Sequence, residues 1–293
     1  MRLGIVAFLF ALSCAVPAAA QTAITLNADP TPIVEAQING RPVRLEVDLR
    51  FPRGLAMSRA AAERLRVTRV PFLGIGIGLE GSDATLSGRL ARPRIVVPGG
   101  EEMDTESRRA FAGIFPAPVS TRADGVIGPG VLPYDIVTIV LGPEPGNARE
   151  IAFTLEDADE WQPITEVGGE RVRIMFGLGD RASIFNRAAS RRFDHTGAIT
   201  SSGELAETPT ILGLRTLMQP VETALAVEGL PLAPAYARTN APLLGATEED
   251  AIVVRAETEE TPPAIMLGRT ALAGCSSIRV DRRTRRMTLR CAA

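Results

Sequence analysis

Short apolar runs rich in β-branched residues, broken by Gly, Pro and Asn, recur along most of this chain. Runs of this kind predict strands, here over residues 33–37, 43–47, 94–97, 136–141 and 150–155. Two stretches depart from that pattern. Residues 59–66 and 187–193 are rich in Ala and Arg, and each follows a residue suited to cap a helix, Ser58 or Asn186. Near the C-terminus, SSIRVD and RMTLRC flank a turn through residues 282–285 and read as a hairpin. Pairing Ile278 with Leu289 and Val280 with Met287 places Cys291 opposite Ser276, beside Cys275. Residues 101–122 and 248–263 read as exposed loops, with Glu248-Glu249-Asp250 a solvated acidic face.

The pattern is written twice. INGRPVRLEVDL (38–49) is matched by VGGERVRIMFGL (167–178) at an offset of 129 residues, and SRAAAERL (58–65) by NRAASRRF (186–193) at 128. VIGPGVLPYDIVTIV (126–140) is matched by MLGRTALAGCSSIRV (266–280) at 140. Three matches in one order argue for a duplicated unit of about 120 residues, not a solenoid of many shorter repeats. The join falls near residues 157–163 (DADEWQP), where charge and proline interrupt the apolar runs. Short strands with one small helix per half predict a mostly β, bilobal protein whose two units could build a site at their seam.

The start of the chain changes the picture of where it works. Arg2, the apolar residues 3–16 and Ala18-Ala19-Ala20 have the form of a cleaved secretory signal peptide. Lipid attachment at Cys14 fits less well, because Ala11 stands where a leucine is wanted. The expected divisions are therefore 1–20, a signal peptide; 21–160, an N-terminal lobe; and 161–293, a C-terminal lobe. No later run reaches the roughly 18 apolar residues of a membrane span, so the mature protein is expected to be periplasmic or secreted, without an integral membrane segment. In an oxidising compartment, Cys275 and Cys291 are expected to form a disulfide; two buried thiols are the alternative.

Charge excludes more than it suggests. The formal net charge is −2 and both signs are interspersed, which gives no reason to expect a nucleic-acid partner. Every basic residue is Arg, so no lysine chemistry is available. Two cysteines and one distant histidine do not make a metal site, and no cofactor is expected. GIGLEG (76–81) has the glycine spacing of a dinucleotide motif but leads into another β-like stretch, not the helix that motif needs. His195, the single histidine, reads as a surface turn residue.

Each half has a turn (Asn39-Gly40 or Gly168-Gly169), an apolar strand, a short loop and a capped helix. Each half closes with an apolar-apolar-Gly segment, Val126-Ile127-Gly128 with Leu132 and Met266-Leu267-Gly268 with Leu272. This arrangement, and Asp124-Gly125-Val126-Ile127-Gly128 in particular, resembles the retropepsin and pepsin superfamily of aspartic peptidases over nearly all of the mature chain. The resemblance implies a bilobal acid-protease fold with a cleft between the lobes. It also aligns the family's Asp-Thr-Gly with Asp48-Leu49-Arg50 in one half and Gly177-Leu178-Gly179 in the other. A working pair of carboxylates shares one proton, so that one activates water while the other polarises the peptide carbonyl. Asp48 keeps one carboxylate and Gly177 supplies none. Asp180 is expected to lie where the backbone has turned away. The cross-bracing threonine is leucine in both halves, and Arg50 stands where a tight loop calls for glycine. An Asp48–Arg50 ion pair is one outcome.

The resemblance therefore implies an exported, catalytically degenerate aspartic-peptidase homologue that binds a peptide or protein segment in its cleft by strand addition and side-chain pockets. The alternatives are an active endopeptidase using Asp48 with a non-standard partner, and a structural envelope-assembly subunit.

Overall fold

The structure, a computed structural model, describes residues 22–78, 85–99, 102–104, 110–209, 212, 214–238 and 262–293. The expected leader (1–20) and the acidic run at 248–250 lie outside the described residues. In chain order the first half contributes β1 (Ala23–Asn27), β2 (Ile33–Ile38), β3 (Arg41–Val47), β4 (Gly54–Ser58), helix α1 (Arg59–Arg64), β5 (Arg69–Gly78), β6 (Thr85–Ala91), β7 (Arg94–Val96), β8 (Met103–Asp104), β9 (Phe111–Phe115), β10 (Gly125–Ile127), a 3-10 turn (Pro129–Val131), β11 (Ile136–Val140) and β12 (Ala148–Thr154). The second half contributes β13 (Ile164–Val167), β14 (Glu170–Gly177), β15 (Ser183–Phe185), helix α2 (Arg187–His195), β16 (Ile199–Ser201), β17 (Ala206–Pro209), β18 (Arg215–Thr223), β19 (Ala226–Val227), β20 (Leu230–Pro231), β21 (Ala235–Arg238), β22 (Ala264–Gly268), β23 (Cys275–Asp281) and β24 (Arg286–Ala292). The protein is mostly β.

The strands follow from alternation. In β2 the buried positions are Val34, Ala36 and Ile38, and in β3 they are Val43, Leu45 and Val47, one face inward and one outward. Asn39 and Gly40 both have positive φ, 51° and 73°, which lets a two-residue turn match the twist of β2 and β3. Gly168 and Gly169, at 57° and 82°, do the same between β13 and β14. Both helices carry the expected caps: Ser58 Oγ accepts from Ala61 N at 3.1 Å, and Asn186 Oδ1 accepts from Ala189 N at 2.9 Å. His195 is the exposed last residue of α2 and not a turn residue.

One sheet, β5-β6-β9-β4-β10-β3-β2-β7-β8, is confined to the first half, and another, β13-β14-β22-β15-β21-β18-β16 with β17 beside β18, to the second. Read from β2 and from β13, they run in the same order and the same sense. An antiparallel hairpin is followed by a parallel neighbour, an antiparallel one, a parallel one and an antiparallel one. The registers keep the offsets of the repeat. Val47 faces Ile127 as Phe176 faces Leu267, and Ala56 faces Val126 as Ile184 faces Met266.

A third sheet, β1-β11-β23-β24-β12, takes strands from both ends of the chain. A continuous core runs through all three, with Leu45, Ile127, Ile139, Trp161, Phe176, Leu267, Ile278 and Leu289 buried in it. Trp161, at the expected join, is among the largest fully buried side chains. Cys275 and Cys291 form a disulfide. They face each other directly, and not with Cys291 opposite Ser276, because a bulge at Ser276 shifts the register between Cys275 and Ser277. The stretch 101–122 is not all loop. Within it β9 is a mostly buried strand between β4 and β6. Gly76 lies in β5 and pairs with Ser87 of β6 in an antiparallel ladder, while residues 79–81 of the motif lie outside the described residues.

Candidate functional site

The two halves present the same turn at the same place. β3 ends at Val47, and Asp48 N continues the ladder by donating to Ile127 O at 3.0 Å. The chain then folds back, with Phe51 N donating to Asp48 O at 3.1 Å. β14 ends at Gly177, and Asp180 N donates to Gly177 O at 3.0 Å. The apolar-apolar-Gly segments abut these turns backbone to backbone. A Cβ at Gly128 would stand 1.8 Å from Phe51 O, and one at Gly268 would stand 2.3 Å from Ala182 O. Only glycine fits such an approach.

Asp48, Arg50 and Asp180 meet between the turns. Arg50 grips Asp48 as a fork, Nε to Oδ1 at 2.9 Å and Nη2 to Oδ2 at 2.7 Å, while its own backbone N donates to Oδ1 at 2.9 Å. Its Nη1 donates to Asp180 Oδ2 at 2.5 Å. The three side chains are 11%, 17% and 10% exposed, so the cluster is nearly closed to water. Asp180 is not turned away as the sequence suggests. The turn that begins at Gly177 brings residue 180 back, and its carboxylate fills the room a side chain at 177 would need. A Cβ at Gly177 would lie 2.6 Å from Asp180 Oδ2. Arg50 has no positive φ, so the loop holds an arginine at ordinary backbone angles.

Burial works against the Arg50 charge, but Asp48 first and Asp180 after it more than offset this and raise its pKa above the usual arginine value. Burial pushes the Asp180 carboxyl up; Arg50 pulls it down, Asp48 pushes it up again and Arg238 pulls it down, leaving it above the usual aspartate value. Chemically, a cation held by both acids lets both be charged at once. A proton-sharing pair needs the opposite arrangement, with water and one proton between two carboxylates.

The remaining predicted residues frame this cluster. Leu49 and Leu178, the matched residues of the two turns, are both buried in the core. Gly179 is exposed, with Thr31 Cγ2 at an ordinary 3.6 Å from where its Cβ would be. Next to Arg50, Phe51 packs edge-on against Phe111 with ring centres 5.1 Å apart. Phe51 belongs to an apolar cluster with Ala56, Phe115, Val119 and Val126, into which Leu212 of the second half also packs. The sequence offered no signal for Leu212. Cys275, bonded to Cys291, lines a cavity of about 460 Å³ together with Leu178 and Arg269. Among the described residues no group of three or more His, Cys, Asp or Glu could hold a metal, and no helix is long and apolar enough to cross a membrane. No protein-family model matches this chain, and no curated protein matches it significantly.

Proposed function

We propose that this is an exported, bilobal protein of pepsin and retropepsin-like architecture, arisen by internal duplication. In this reading its acid pair has become a clasp between the lobes, and its cleft binds a peptide or protein segment. The observation that carries it is Arg50, held by Asp48 and Asp180 together. A guanidinium stands where an acid protease needs water and a shared proton, so the general acid–base step has no room. The matched strand order of the two halves supports the architecture. The apolar cluster around Phe51 and Phe111, which Leu212 now fills, is the pocket a ligand side chain would enter by displacing Leu212.

A second reading keeps one specific observation in its favour. Asp180 supplies the second carboxylate that Gly177 lacks, and its pKa is raised. If Arg50 swings away on substrate binding, Asp48 and Asp180 become an acid pair. Cleavage of a diverse peptide library from about pH 3 to pH 7 separates the two, with Asp48→Ala as control. The binding reading expects no cleavage by either protein and stoichiometric capture of a subset of peptides. Turnover by the parent that is lost in Asp48→Ala would sink it in favour of the peptidase.

A further inference from the structure

β5 is one of the two edge strands of the nine-stranded sheet, and its pairing is uneven. Arg69 faces Ala91, the next pair is Gly74 with Arg89, and residues 70–73 bulge out between them. At the tip of the bulge Phe72 is 98% exposed and Leu73 48% exposed. Single apolar side chains on a surface need no explanation, but two adjacent ones projecting from an edge strand do. Phe72 also has a φ of 61°, a backbone conformation that bulky residues rarely adopt.

The arginines bordering this bulge share a second feature. Arg69 and Arg89 open, with Arg59 of α1, onto one cavity of about 270 Å³ that Ser87 and Phe115 also line. None of the three guanidinium groups has an ion-pair or hydrogen-bond partner among the described residues. Elsewhere in the same half Arg44, Arg64 and Arg94 each hold an acid. Three cations around one cavity repel each other unless an anion joins them. The chain as a whole carries −2, so this is a local excess and not general basicity.

We propose that this corner is a docking site for an anionic lipid surface. Phe72 and Leu73 enter the boundary between headgroups and acyl chains, and Arg59, Arg69 and Arg89 take a headgroup phosphate. The two features complement the two layers of such a surface, an apolar depth below a plane of phosphates. A protein partner fits less well. The apolar part is one four-residue bulge, Val70, Pro71, Phe72 and Leu73, flanked by Gly74, Gly76 and Ser87, far short of the roughly 1,000 Å² that a stable protein interface covers. The proposal is independent of the acid cluster and of any ligand in the cleft.

The test is co-sedimentation of the protein, purified in its exported form, with vesicles of phosphatidylcholine alone and of phosphatidylcholine with phosphatidylglycerol. Preference for the anionic vesicles, weakened by salt, is expected. Arg69→Gln with Arg89→Gln should lower that binding about twentyfold and remove the preference. Phe72→Ala with Leu73→Ala should lower it about tenfold. These side chains are exposed, so circular dichroism should show both variants folded. Equal binding to both vesicle types, or unchanged binding by either folded variant, overturns the proposal. A thermal shift with inorganic phosphate but no vesicle binding also overturns it and leaves a free-anion site.

Discussion

At the scale of single residues, Arg50 decides what the acid cluster is. Without it two carboxylates would face each other in a nearly closed space, and removing one partner of such a buried ion set costs about 3–5 kcal/mol. Arg50→Met should therefore destabilise the protein by about that amount at neutral pH in urea unfolding, and by less in acid, where protonation relieves the repulsion between the carboxylates. Replacing all three together, Asp48→Asn and Asp180→Asn with Arg50→Met, should restore much of the loss, because no unpaired charge remains. Asp180 has its own signature. Its folded pKa is raised, so the native state holds the proton more tightly than the unfolded chain does. Its contribution to stability is full below the usual aspartate range and is lost as pH rises through the raised value. The stability difference between the parent and Asp180→Asn should shift against the parent over that window. A flat difference across it would contradict the assignment.

At the scale of elements, the two helix caps look alike in sequence but differ in what they hold. Ser58 satisfies one backbone N–H of α1. Asn186 is buried, caps α2, also accepts from Ala264 N at 2.9 Å and donates to Pro262 O at 2.9 Å. It thus pins α2 to the start of β22, the strand that ends at Gly268 against the second turn. Ser58→Ala should cost about 1 kcal/mol and Asn186→Ala about 2–3 kcal/mol, since the latter leaves buried backbone groups unpaired. The closing glycines are less tolerant still. Gly128→Ala puts a methyl into Phe51 O, and a drop in melting temperature larger than for either cap variant is expected.

At the scale of the whole molecule, the seam sheet makes the two halves one unit. β1, β11 and β12 come from the first half and β23 and β24 from the second. The Cys275–Cys291 disulfide, with a sequence separation of 16, closes the hairpin that lies in the middle of this sheet. Reduction should lower the unfolding free energy by about 3 kcal/mol, read as a shift of the urea midpoint with and without reductant. Because the sheet serves both halves, they should still unfold in a single transition. Two transitions under reducing conditions would show that the halves are joined by less than the seam suggests.

Local order in this protein was written locally. The strands at 33–37 and 43–47, the turns at Asn39-Gly40 and Gly168-Gly169, both helices with their caps and the C-terminal hairpin all follow from alternation, φ preference and side-chain capping within a few residues. The repeat offsets carried further, because matched windows occupy matched strands with the same registers. Tertiary structure decided the rest. β9, in a stretch that reads as loop, became a strand because β4 and β6 flank it. Asp180 became part of the acid cluster because a turn returned it to the space that Gly177 leaves empty. Arg50 bridges Asp48, two residues away, to Asp180, 130 residues away, and Leu212 reaches a cluster in the other half. Contacts between distant segments depend on how the halves meet, and local propensity does not encode that.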